Sequence, residues 1–83
     1  MADEEPPRYG TAYLMRATKV DANSRVETIY LGRDHSLWNN GPPILYETRV
    51  IGGKLDGLYE RYTTNERAME GHRNLVARLV LET

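Results

Sequence analysis

Asp34 and His35 are adjacent, Glu47 follows inside a strongly apolar stretch, and His72 falls on the apolar stripe of a C-terminal amphipathic segment. Carboxylates and imidazoles hold divalent ions and lower the pKa of a bound water. These four residues are therefore the candidate set for a metal-dependent hydrolase of phosphodiesterase type, with Arg61 to hold phosphate. Their spacing matches no ligand motif such as His-Glu-x-x-His. The alternative reading gives each of them a structural post. Asp34 bonds loop amides, His35 packs beside Trp38, and His72 lies at the core margin with its ring hydrogen-bonded. Outside the hydrolase alternative, the chain offers no catalytic residue, metal site or cofactor.

A second group of residues suits recognition. Glu47 and Arg49 share one face of a strand, and Arg61 lies on the neighbouring strand. Cross-strand ion pairing is one reading, worth roughly 0.2–1 kcal/mol where exposed. The other is an anion-binding and base-stacking face of Arg49, Tyr59 and Arg61, since Arg makes bidentate contacts to phosphate and Tyr offers a ring. Trp38 sits in a Gly/Asn/Pro loop, either as a lid on the sheet or as a binding anchor. Gly52, Gly53 and Gly57 read as a hairpin turn, because neither a Walker lysine spacing nor a helix follows them directly.

The elements that position these residues follow from periodicity. Residues 1–10 form a flexible acidic arm, and residues 11–83 a single domain. Strands are expected over 11–20, 25–31, 44–51 and 58–63. In the first, Tyr13, Met15, Ala17 and Lys19 would share one face, and Ala12, Leu14, Arg16, Thr18 and Val20 the other. This alternation is weak, and the strand is a candidate sheet edge. In the third, Ile44, Tyr46, Thr48 and Val50 oppose Leu45, Glu47, Arg49 and Ile51. The Asp21–Ser24 cluster is a turn, and Gly32 to Pro43 a long loop of the kind that is usually functional. A helix starts after a capping-box pattern, Thr63 to Glu66, with Thr64 or Asn65 as other possible caps. Its apolar stripe is Ala68, His72, Leu75, Val76, Leu79 and Val80, and Gly71 would permit close approach to the sheet. The fold class is α+β: a four-stranded antiparallel sheet with one C-terminal helix packed on one face (ββββα).

Eighty-three residues with a formal charge of −1 make one domain with no basic block, which removes the electrostatic basis for general duplex binding. A chain of this length buries only about 60–65% of its unfolded surface, so its core is thin and a homodimer would add to it. With no cysteine, disulfides and thiolate chemistry are excluded. Neither a membrane-spanning run nor a signal-peptide core stands out, and a cytoplasmic protein is expected.

The run Glu27-Thr28-Ile29-Tyr30-Leu31-Gly32-Arg33-Asp34-His35 is followed by Gly41-Pro42-Pro43 leading into Tyr46-Glu47-Thr48. Arg61-Tyr62-Thr63-Thr64 and Ala68-Met69-Glu70-Gly71-His72 complete the pattern. From Val26 to His72 the chain resembles a family of small tailed-bacteriophage proteins, many from phages of actinobacteria. It departs where the family usually carries Met, at Arg49, and Gln, at Tyr59. The resemblance implies a phage protein acting in the host cytoplasm and brings no activity with it. The combined expectation is a non-enzymatic binding module for a host protein or a small anionic ligand, with Trp38, Arg49, Tyr59 and Arg61 as contacts. The hydrolase built on Asp34, His35, Glu47 and His72 is the alternative.

Overall fold

In a computed structural model, residues 10–36 and 41–82 are described. Four strands, β1 (Tyr13–Asp21), β2 (Ser24–Tyr30), β3 (Tyr46–Ile51) and β4 (Tyr59–Tyr62), precede one helix, α1 (Asn65–Glu82). The strands form one antiparallel sheet in the order β1-β2-β3-β4, so β1 and β4 are its edges. The expected ββββα architecture is present, and α1 packs on one face of the sheet. The acidic arm proposed for residues 1–10 lies, apart from Gly10, outside the described residues.

Short links dictate this order. Asp21 and Ser24 face each other across a two-residue turn, held by Asn23 N–H and Ser24 Oγ–H donating to Asp21 Oδ1 at 2.8 and 3.0 Å. Those bonds, the Asn23 amide first, hold the Asp21 carboxyl below its ordinary pKa. Neither Ala22 nor Asn23 takes a positive φ, so the turn is not of the primed type that matches strand twist. A register shift between Lys19 and Asp21 absorbs the mismatch.

A second shift, between Leu14 and Arg16, overturns the expected faces of β1. Leu14 lies opposite Ile29 on the face away from the helix, whereas Arg16 and Thr18 lie opposite Thr28 and Val26 on the helix side. Strict alternation fails because the bulge inserts Met15, which packs with the helix-side core.

The inner faces of β2 and β3 alternate in step, Val26-Thr28-Tyr30 against Val50-Thr48-Tyr46. They divide the core into two apolar halves. Val26, Val50, Leu75 and Leu79 form one, with Val20, Leu55, Leu58 and Val76 at its margin. Tyr30, Leu45, Tyr46 and Ala68 form the other, flanked by Met15 and Tyr62. Leu45 belongs to the helix-side core, contrary to its expected place beside Glu47, because regular β3 pairing begins only at Tyr46.

Helix α1 buries Ala68, His72, Leu75 and Leu79 of the expected stripe, with Val76 partly buried and Gly71 closed off beside them. Val80 departs from that expectation and is 56% exposed, because the step from buried Leu79 rotates it off the stripe. The cap is Thr64, whose Oγ1 accepts from Arg67 N–H at 3.1 Å, rather than the Thr63–Glu66 box.

A Cβ on Gly71 would overlap the hydroxyl end of the Tyr62 ring, which lies across the helix at that point. Ala in place of Gly normally gains about 1 kcal/mol in a helix interior. Here Gly71→Ala is expected to destabilise by about 1–3 kcal/mol, the usual cost of overpacking. In a Tyr62→Ala background the same substitution should become neutral or stabilising. Urea unfolding of the four proteins measures the coupling, and an unchanged effect in the two backgrounds would refute the contact.

Candidate functional site

The two faces of the sheet hold different chemistry. On the helix side, Thr28, Thr48 and His72 form a polar belt between the apolar halves, each essentially closed to solvent. The His72 ring bonds Thr28 Oγ1 through Nδ1 at 2.7 Å and Thr18 Oγ1 through Nε2 at 2.8 Å. Thr28 Oγ1 lies 2.7 Å from Thr48 Oγ1, and Thr48 makes a long 3.4 Å bond to the Ala68 carbonyl. One set of directions satisfies every member. The Ala68 carbonyl only accepts, so Thr48 donates to it and Thr28 donates to Thr48. His72 Nδ1–H then donates to Thr28, and Thr18 donates to Nε2. The belt therefore ties β1, β2 and β3 to α1 through a neutral imidazole.

Burial, aided by the nearby Arg16 charge, pushes the His72 pKa below its ordinary value. The unfolded chain then takes up a proton near pH 6.5, where the folded one still resists it. Stability is fully present above about pH 6.5 and is lost progressively as pH falls toward the depressed folded-state pKa. Urea midpoints measured from pH 8 to pH 5 should decline in this window, and a His72→Gln variant should lack that part of the slope.

The structure does not bring the four hydrolase candidates together. Glu47 alternates with Tyr46 and Thr48 and so lies on the face opposite His72, with the sheet between them. Asp34 Oδ1 accepts from Ser36 N–H and Ile44 N–H, both at 2.8 Å, and ties the two ends of the long loop. His35 contributes its backbone to that closure, through N–H to the Ile44 carbonyl at 2.9 Å. Among the described residues no group of three His, Asp or Glu side chains is placed to hold a metal ion. Asp56, in the β3–β4 hairpin, accepts from Gly52 N–H at 2.7 Å.

Three of the four recognition candidates do share a surface. Arg49 lies opposite Tyr59, and Glu47 opposite Arg61, all on the face away from the helix. Trp38, and the packing of His35 beside it, lie outside the described residues. Arg61 Nε donates to Glu47 Oε1 at 3.0 Å while its guanidinium sits 5.1 Å from the centre of the Tyr59 ring. Glu27 takes both Arg25 Nε at 2.8 Å and Arg49 Nη2 at 3.2 Å. The Arg25 bond, with Arg49 in support, holds the Glu27 carboxyl below its ordinary pKa and keeps it ionised. The cross-strand pair expected for Glu47 is thus present, and it occupies the same guanidinium that an anion would need.

Sequence reasoning missed the apolar part of this face. Leu14, Ile29 and Leu31 line a shallow depression of about 420 Å³, with Glu27, Glu47 and Arg49 on its polar side. Tyr13 and Leu14 at one sheet edge and Tyr59 at the other are about half exposed. The signal was the bulge at Met15, which turns Leu14 outward and shows only in the register.

No family model, curated protein or solved structure matches this chain. Fold and surface together define the class: an α+β domain with one sheet face covered by its helix and, among the described residues, no element packed on the other. No helix among the described residues is long and apolar enough to cross a membrane.

Proposed function

We propose that this protein is a non-enzymatic binding module, and that a partner protein docks on the open face of its sheet. The resemblance of residues 26–72 to tailed-bacteriophage proteins supports a host protein as the occupant and the host cytoplasm as the place of action. One observation carries the reading. The open face surrounds the half-exposed Leu14 and the partly buried Ile29 and Leu31 with charges that already pair with one another.

Charge decides between the two ligand classes. A free anion at Arg49 or Arg61 must displace Glu27 or Glu47, and these carboxylates would repel it at close range. A protein contributing an apolar patch displaces nothing and removes about 25 cal/mol of unfavourable hydration per Å² of apolar surface covered. The register also places Lys19, Arg25, Arg49 and Arg61 on this face against Glu27 and Glu47, an excess of positive charge on a chain of net −1. The matching partner surface is apolar at its centre and acidic at its rim.

The test uses Ile29→Glu and Leu14→Glu, with Arg78→Glu on the exposed side of α1 as control. Each protein is used for capture from a host lysate, and the captured protein is then purified and titrated. Affinity should fall at least tenfold for the open-face variants and hold for the control. Hydrogen exchange should show protection along 27–31 and 47–49. Protection confined to α1, equal affinity of Ile29→Glu, or no capture at all overturns the reading. So does a homodimer that fills the face and separates on Ile29→Glu.

A further inference from the structure

The groove between edge strand β1 and α1, on the covered side of the sheet, holds a second concentration of charge. Arg16, Thr18, His72, Arg73, Val76 and Ala77 line a cleft of about 220 Å³ there. Arg16 and Arg73 are both exposed, and among the described residues neither has a carboxylate within ion-pair distance. This sets them apart from Arg25, Arg49 and Arg61. Two like charges at one small cleft repel, and an anion between them turns that repulsion into two charge-assisted hydrogen bonds.

We propose that this cleft binds a phosphate-type tetrahedral oxyanion, held by the Arg16 and Arg73 guanidiniums with the Thr18 hydroxyl donating from the floor, and that binding places a proton on His72. The size favours a small group, because pockets for whole drug-sized ligands begin at about 300 Å³. Val76 and Ala77 supply an apolar wall that keeps water from competing on one side.

The proton follows from the hydrogen-bond directions. With the cleft empty, Thr18 O–H donates to His72 Nε2. To donate to an oxyanion instead, Thr18 must turn its proton outward, which leaves Nε2 without a donor. A proton taken from the buffer onto Nε2 repairs this, since Nε2–H then donates to Thr18 Oγ1 while Nδ1–H still donates to Thr28. The charged groups facing the ring are Arg16 from β1 and Arg73 from α1. From β2 it meets the Thr28 hydroxyl, with Thr48 of β3 behind it, and on β4 Glu60 stands across from Thr48 and accepts from the Tyr62 hydroxyl. The bound anion offsets both guanidiniums and so favours the imidazolium.

This site does not rest on the open-face reading, and Arg16 and Arg73 lie outside that surface. Inorganic phosphate, sulfate and a nucleoside 5′-monophosphate are titrated against chloride at matched ionic strength, with melting temperature and ¹⁵N spectra of the His72 ring as readouts. Saturable binding is expected for all three anions. An Arg16→Gln/Arg73→Gln variant should melt like the wild type in chloride and lose at least tenfold in anion affinity. Sulfate does not titrate near neutrality, so its affinity should rise between pH 7.5 and pH 6 as His72 takes up its proton. A monophosphate that binds more tightly than free phosphate identifies a phosphorylated metabolite as the source, and equal binding identifies the free anion. The proposal is overturned if sulfate and phosphate act no differently from chloride or if the double variant responds like the wild type. It is also overturned if the ring nitrogens stay in the neutral Nδ1–H form at saturation.

Discussion

His72→Ala should lower the unfolding free energy by about 4 kcal/mol, more than a single surface change can do. Removing a large buried side chain typically costs about 3–5 kcal/mol through lost contacts and the cavity left behind. Here the ring is 1% exposed and stands between the two halves of the core. Its loss also leaves Thr28 Oγ1 and Thr18 Oγ1 without the partners they now have, at a penalty of about 1–3 kcal/mol for a buried hydroxyl. These terms overlap, since a collapsing cavity re-pairs some groups, so their sum is an upper bound. A small domain sits near the low end of the usual 5–15 kcal/mol of stability. The variant should therefore be largely unfolded at 37 °C.

A companion variant separates packing from polarity. Replacing the buried belt by His72→Leu, Thr28→Val and Thr48→Val removes its donors and acceptors together, and leaves only the part-buried Thr18 hydroxyl to turn toward the cleft it lines. Exchanging both partners of a buried bond for apolar groups of similar shape is often nearly neutral. The triple variant should recover most of the stability that His72→Ala loses. Thr28→Val alone should be worse than the triple variant, because it leaves Nδ1–H of His72 unpaired. If urea midpoints of wild type and His72→Ala differ by less than the equivalent of about 1 kcal/mol, the belt is not what joins β1, β2 and β3 to α1.

Gly52→Ala is expected to destabilise by about 3 kcal/mol or more, for reasons that Gly57→Ala isolates. Both glycines have positive φ, +83° at Gly52 and +93° at Gly57. An L-residue in such a backbone costs roughly 1–2 kcal/mol. A Cβ at Gly57 would meet open space, so its substitution should cost no more than that. At Gly52 the Cβ would overlap the backbone carbonyl oxygen of Asn23. That carbonyl belongs to the β1–β2 turn, itself pinned by two bonds to Asp21 Oδ1. Relief must come from moving the backbone of one hairpin against the other, which pulls at the Arg25–Ile51 end of the β2–β3 ladder. Circular dichroism melts of the two variants give the comparison directly. Equal melting temperatures for Gly52→Ala and Gly57→Ala would show that the two turns do not bear on each other.

Both predictions concern contacts between elements, and such contacts were the least legible part of the chain. The elements themselves were readable. Alternation in β3 put Tyr46, Thr48 and Val50 on one face, and the 3.6-residue period placed Ala68, His72, Leu75 and Leu79 on one stripe. Those patterns are local, because a strand or helix must turn its apolar positions to one side. Gly71 was legible as a point of close approach, but not Tyr62 as the group approaching it. His72 was read as a core-margin residue with its ring bonded. The bonding is present and the ring is closed to solvent beside the β1 edge cleft, but no local pattern names Thr18 and Thr28 as its partners.

The candidate sites divide the same way. Arg49, Tyr59 and Arg61 fell on one face because a single short hairpin fixes their register, and Glu47 came with them. Asp34, His35, Glu47 and His72 were grouped by chemical type alone, and chemical type carries no information about which side of a sheet a residue faces.

The sequence by itself therefore determined the class of the protein: four strands, one amphipathic helix, their order, and the side each central strand and the helix must bury. Hydrophobic period, turn chemistry and short connections set these, and all act within a few residues. Only the tertiary structure decided the bulge at Met15 that turns Leu14 outward and the meeting of Thr18, Thr28 and Thr48 around His72. These depend on register between elements distant in the chain. A shift of one residue in that register exchanges the two faces while leaving every local pattern unchanged.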